Sequence, residues 1–269
     1  MARILNLFFI PDFLTHFNLF RKLVYRDFFA KFVGSALGFF WAILNPLVLM
    51  GMYVLLFSVI LKIKFDSSGS HVDYGFYLFC GMIPWLSFQE SLIKSTNIFI
   101  DFRTLIRQIR FPLGFLPLHV AVSTIFQELI TFLLFALLVM YYQQTTLDSF
   151  WIIFLILPVK FLFTCGFCLF LSTLSVFYRD VIQVIQILLL SWFFASPIVY
   201  PVDKIPQLWF HLYQLNPFYH FIQGYRCALL NQHSFSWPGF IYTFALSIGI
   251  YSLGYFVFRR NQRQFVQLL

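Results

Sequence analysis

Two ionisable residues lie deep inside the long apolar runs of this sequence, Glu128 and Lys160. A charge in such surroundings is costly, so groups placed there act as ion pairs, proton relays or parts of a substrate path. A relay needs a chain of such groups. Two point to a structural ion pair, with a place on a substrate path as the alternative. Glu90 and Lys94 stand i, i+4 near the end of another run and suit a local pair. In "FIDFRTLIRQIRFPL" (99–113), Arg103, Arg107 and Arg110 recur at i, i+4, i+7 and form one basic stripe. Phe102, Ile106 and Ile109 form an apolar stripe beside it, and Pro112 ends the helix. Such a helix rests on lipid headgroups or docks into an acidic groove of a partner.

The residue patterns of covalent and nucleotide chemistry are missing. There is no G-x-x-x-x-G-K-[ST] loop for ATP, no H-E-x-x-H and no G-x-S-x-G. Cys165 and Cys168 form a C-x-x-C within an apolar run, but no second pair or nearby His completes a zinc set. They read as small core residues. Asp66, Asp73, Asp148 and Asp203 are isolated from one another, whereas acid–base catalysis on a membrane rim wants a pair. No catalytic residue, metal or cofactor is expected, and no nucleic-acid partner.

The elements that must position these residues follow from composition. The chain of 269 residues is 61% hydrophobic and 10% charged, against about 25% charged in soluble domains. A globule of this size cannot hide so much apolar surface from water, but a bilayer can receive it. Backbone groups find no water there, so the spans are helices. Apolar runs at about 36–61, 74–98, 114–142, 150–177, 182–200 and 236–258 predict six of them. Twelve of the eighteen basic residues fall in the two tails, the 99–113 segment and the 178–181 turn. Four (Lys62, Lys64, Lys204 and Arg226) fall in the other three connections. The excess marks the cytoplasmic side and places both termini there. Residues 1–269 read as a single transmembrane domain: 1–35 cytosolic and interfacial, 36–258 the six-span region, 259–269 a cytosolic tail.

Within 15–34, Phe17, Phe20, Val24, Phe28 and Phe32 share a helical face, which predicts an amphipathic helix in the cytosolic interface. Gly34 and Gly38 form a G-x-x-x-G, a candidate for close helix packing. The 201–235 segment is too polar to span and too aromatic for a solvated loop. Pro206 and Asn216-Pro217 divide it into two short amphipathic pieces, and Trp209, Tyr213, Phe218, Tyr219 and Tyr225 suit the headgroup level. These pieces are either re-entrant helices at the outer mouth of a pathway or an aromatic anchor belt.

Five blocks in order, "YRDFFAKFVGSALGFFWAILNPL" (25–47), "LIRQIRFP" (105–112), "FYRDV" (177–181), "WFFASPIVYP" (192–201) and "LNPFYHFIQGYRCALL" (215–230), resemble the membrane subunit of ATP-binding-cassette exporters of bacterial surface polysaccharides. The likeness is nearest to O-antigen, capsule and teichoic-acid exporters. It implies an all-α permease in the bacterial inner membrane that pairs with a second copy of itself and two ATPase chains. Its substrate would be an undecaprenyl-linked glycan, O-antigen first. The resemblance implies ATPase contacts at Arg26, Asp27, Arg103, Arg107, Arg110, Arg179 and Asp180. It implies external gate helices over 203–232, with Pro197, Pro201, Trp209, Tyr213, Asn216, Pro217 and Tyr219 in the gate. A sliding glycan stacks its C–H faces on aromatic rings, so Trp41, Tyr53, Trp85, Trp192 and Tyr200 are candidate channel residues. The rival readings are a permease of similar fold for a drug or another lipid, an ion-coupled flippase, and a polyprenol-linked sugar enzyme.

Overall fold

A computed structural model describes residues 10–30, 33–60, 71–108, 112–143, 149–202, 206–230 and 235–268. Among the described residues every regular element is helical. α1 spans Ile10–Ala30 and α2 Trp41–Val54, the latter continued by a π-helical stretch, Leu55–Ile60. α3 is His71–Asp101, α4 Arg103–Gln108 and α5 Phe115–Gln143. α6 is Ile153–Phe177, α7 Val181–Phe194, α8 Gln207–Leu215, α9 Pro217–Leu230 and α10 Trp237–Leu268.

A helix occupies each of the six apolar ranges. Three are long and apolar enough to cross a membrane by length and composition: Phe115–Tyr142, Phe150–Phe177 and Trp237–Gln262. α3 has the length, but its polar residues, Glu90 and Lys94 among them, lower its hydropathy. α7 has 14 residues, a rise of about 21 Å against a hydrocarbon core of about 30 Å. α10 runs on to Leu268, so most of the stretch assigned to a tail is helix: nothing after Arg259 breaks the pattern.

α6 lies at the centre, with 14 of its 25 residues buried. Its buried hydroxyls are satisfied within the helix, Thr164 donating to the Lys160 carbonyl at 2.9 Å and Thr173 to that of Leu169 at 2.8 Å. Such back-bonding lets a helix carry polar side chains without an outside partner. α6 meets α10 at its closest through two glycines. A Cβ on Gly254 would lie 2.2 Å from the Gly166 carbonyl oxygen, and one on Gly166 would lie 2.6 Å from the Tyr251 nitrogen. Small residues let two helix backbones touch and gain dispersion contact.

The G-x-x-x-G in 34–38 does something else. Gly34 and Gly38 have φ of +80° and +51°, and nothing lies within 4 Å of a Cβ built on either. They form the turn that leads into α2, where the left-handed conformation favours glycine. The close-packing expectation at these two residues is therefore corrected.

The helix ends sort into two groups. At one end, Phe99 of α3 packs on Phe258 and Phe265 of α10, and Phe177 of α6 packs on the same Phe265. α4, the start of α5 and the α6–α7 turn lie at this end. At the other, Phe76 of α3 meets Tyr142 of α5, and the Tyr74 hydroxyl donates to the Val199 carbonyl. α8 and the start of α9 cap this second end.

Candidate functional site

A cavity of about 650 Å³ opens between α2, α3 and α5. Trp41, Asn45, Gln89, Glu90, Gln127 and Thr131 supply rings, amides and hydroxyls to its wall, interleaved with aliphatic side chains. Trp41 is held by its indole N–H, which donates to Ser35 Oγ at 2.7 Å. Gln127 Nε2 donates to the Ala42 carbonyl at 3.0 Å, which ties α5 to α2. Gln127 Oε1 is buried and accepts no hydrogen bond within the described residues. A buried acceptor of this kind calls for a hydroxyl or a water.

A four-helix polar knot is built into the cavity wall, where Ser87 and Glu128 belong to the lining. Lys160 Nζ stands 2.5 Å from Glu128 Oε2, and both side chains are almost fully buried. Ser87 Oγ donates to the same carboxylate oxygen at 2.6 Å, and Lys160 also bonds Ser87 Oγ. Tyr225 of α9 donates to Glu128 Oε1. Both carboxylate oxygens are thus engaged by α3, α6 and α9, which is the condition for burying a charge without a large penalty. The sequence placed Glu128 and Lys160 at matching depth. It did not reveal Ser87 or Tyr225, because single polar residues from distant segments carry no spacing signal. Ser91 and Thr124, 2.5 Å apart, add a second α3–α5 link.

At the end that carries α4, a mixed cluster joins α1 to the bundle. Lys94 Nζ lies 3.2 Å from Asp27 Oδ2 and 3.2 Å from Glu90 Oε1, and Ser123 Oγ donates to Asp27 Oδ2. The Glu90–Lys94 pair follows the i, i+4 spacing, whereas Asp27 arrives from a separate helix. Arg26 lies over the Phe102 ring, 4.5 Å from its centroid, just before α4. Phe20 packs on Phe115 and Phe28 on Phe126, so α1 runs beside α5 in the same direction. Arg103, Arg107, Arg179 and Asp180 are exposed at this same end. Arg110 lies outside the described residues. Asp101, at the close of α3, has its pKa raised by partial burial.

At the far end the cap is tied by Asn216, the break between α8 and α9. Trp192 Nε1 donates to Asn216 Oδ1 at 3.0 Å, and the Phe218 N–H donates to the same oxygen at 3.0 Å. Asn216 Nδ2 donates to Ser196 Oγ at 2.9 Å and to the Ala195 carbonyl at 3.3 Å. Tyr213 and Tyr200 join through their hydroxyls at 2.9 Å, and Tyr200 donates to the Phe194 carbonyl. Pro197 and Pro217 are buried, Pro201 and Tyr219 are half-buried, and Trp209 is exposed. Burial holds the His220 imidazole below its usual pKa, partly offset by its bond to the Gln214 carbonyl. Asn216→Ala is expected to lower stability by about 1–3 kcal/mol, because it leaves the Trp192 and Phe218 donors unsatisfied. The fall in melting temperature of the purified protein would measure it.

Two expectations about this cap are corrected. Phe218 and Tyr225 do not sit at a headgroup level; both are 0% exposed inside α9. Arg226, assigned to an outer connection, is likewise fully buried. It donates to the Tyr77 hydroxyl at 2.7 Å and to the Ile198 carbonyl at 3.1 Å. α9 is a core helix because α3 and α6 cover it, which no local pattern could signal. Of the five candidate channel aromatics, Trp41 lines the cavity. Trp85 is 1% exposed and packs on Phe218 and Trp192 within a buried aromatic cluster. Trp192 is half-buried against that cluster, Tyr200 belongs to the cap, and Tyr53 is half-buried on α2.

The four cysteines are buried thiols, Cys165 and Cys168 among them. Among the described residues no group of His, Cys, Asp and Glu is arranged to hold a metal ion. The cavity wall offers rings, amides and hydroxyls to a bound molecule.

Comparison with known proteins identifies the family. The family model described as "ABC-2 type transporter" matches residues 18–230. An O-antigen export system permease protein, RfbA, of Myxococcus xanthus is 32% identical over 184 residues, 68% of each chain. A protein of the same name from Klebsiella pneumoniae is 25% identical over 259 residues, 94% of this chain and 95% of that one. The polysialic acid transport protein KpsM of Escherichia coli is 22% identical over 221 residues, 81% of each. With most of its length matched by the family model, and with apolar helices long enough to span a bilayer, the chain belongs to the membrane-embedded ABC-2 type transporter family.

Proposed function

We propose that this protein is the channel-forming subunit of an exporter that moves an undecaprenyl-linked polysaccharide, O-antigen in the first place, across the bacterial inner membrane. The similarity to O-antigen export permeases along nearly the whole chain carries this reading. The 650 Å³ cavity supports it: rings, amides and an unpaired acceptor suit hydroxyl-rich sugars, while Glu90 and Lys94 offset one another. Weak, similar contacts of this kind let a polymer slide.

In this reading residues 1–269 form one domain with six spans, and two copies of the chain flank the path. α7 completes its crossing with the turn over 195–202. Both termini face the cytoplasm, as the basic residues require. Two ATPase chains dock at the end bearing α1 and α4, against Arg26, Arg103, Arg107, Arg110, Arg179 and Asp180. Asp27 acts there through Lys94, since its carboxylate turns inward. α8 and the Asn216 junction form the outer gate, with Pro197, Pro201, Trp209, Tyr213, Pro217 and Tyr219 around it.

Replacing Arg103, Arg107 and Arg110 together by Glu is expected to abolish assembly with the ATPase or glycan-stimulated ATP hydrolysis. Copurification in mild detergent and phosphate release measure the two; unchanged values would remove α4 from the coupling surface. Deleting the gene should trap lipid-linked glycan inside the cell. Normal surface glycan in such a strain would refute the export reading.

A further inference from the structure

A second groove, of about 440 Å³, runs between α1 and α5 on the opposite face of α5 from the 650 Å³ cavity. Phe126, Leu129, Ile130 and Leu133 recur at i, i+3, i+4 and i+7 and form its floor. Phe28 and Phe29 of α1 form a side. One charged side chain lines it, Arg21, placed two turns of α1 before Phe28. The groove thus has a cationic end and an apolar end. Phe126 and Leu133 are 49% and 52% exposed, so its surface is unfilled by protein. No carboxylate pairs with Arg21 among the described residues.

In a bilayer, an apolar groove open to lipid is filled by a hydrocarbon chain. Its cationic end then selects the headgroup. We propose that this groove holds one acyl chain of an anionic phospholipid, with the lipid phosphate paired to Arg21. Size favours this occupant. At about 30 Å³ per water-sized group, the groove takes on the order of fifteen methylenes, one acyl chain and a small part of a polyprenyl chain. The bound lipid fastens α1 to α5 and makes the cytosolic end of the bundle responsive to membrane charge. The proposal rests on the reading of α1 as a cytosol-facing helix, not on the identity of the exported substrate.

The test is native mass spectrometry of the full complex with its ATPase chains, offered phosphatidylglycerol, phosphatidylcholine or undecaprenyl phosphate. One phosphatidylglycerol per chain should survive at energies that strip phosphatidylcholine. Arg21→Gln should weaken its retention about fivefold, as for one basic residue at an anionic surface. Leu133→Trp, which fills the floor, should remove it. Equal retention of the two phospholipids by the unmodified complex would overturn the proposal without recourse to any variant. So would preferential retention of undecaprenyl phosphate, or a properly assembled Arg21→Gln complex that holds phosphatidylglycerol as well as the parent. If the purified complex keeps its phospholipid preference while a strain lacking the gene exports glycan normally, the export reading is refuted and this site stands.

Discussion

Lys160→Met, with Glu128 left in place, is expected to destabilise the protein by about 3–5 kcal/mol. The substitution removes the cation from a carboxylate that is fully buried and leaves Ser87 and Tyr225 as its remaining donors. Two neutral donors do not replace an ammonium in a low-dielectric interior. The double variant Glu128→Gln, Lys160→Met should recover more than half of the loss. It removes both charges and keeps groups that hydrogen bond with Ser87 and Tyr225. Reversible unfolding of the purified protein in mixed micelles gives both values. A single variant as stable as the parent would show that the pair contributes nothing to the fold. The loss should also be felt on α9, since Tyr225 anchors that helix to Glu128.

Gly254→Val is expected to be equally damaging for a steric reason. Its Cβ would lie 2.2 Å from the Gly166 carbonyl oxygen, and the obstacle is backbone that cannot rotate away. α6 and α10 must separate along their longest contact, which costs about 3 kcal/mol or more. Gly249→Val provides the control on the same helix: nothing lies within 4 Å of its Cβ, so the change should stay within about 0.5 kcal/mol. Size-exclusion profiles and melting temperatures of the two variants separate these outcomes. Equal behaviour would mean that the two helices do not approach as described.

The helical architecture was legible because apolar runs of near-bilayer length leave no other solution for the backbone. The ranges 114–142 and 150–177 match α5 and the α6 region within a residue or two. Glu128 and Lys160 were legible as a pair because neighbouring antiparallel spans put them at similar depth. Contacts made by distant segments were not. Gly166 and Gly254 have no local signature, whereas Gly34 and Gly38 have one and serve a turn. α9 reads as an amphipathic surface piece, and only its covering by α3 and α6 turns Phe218, Tyr225 and Arg226 into core residues. The basic stripe of 103–110 was visible from its spacing. The inward turn of Asp27 was not, since its partner stands 67 residues away.

The Asp27–Lys94–Ser123 clamp has a mechanical meaning. One carboxylate on α1 grips α3 and α5 together, one residue after Arg26, whose side chain lies on Phe102 at the head of α4. Under the proposed coupling, a push delivered there would pass through this clamp into two long helices that share the cavity between them, as through a stiff crank rather than a hinge.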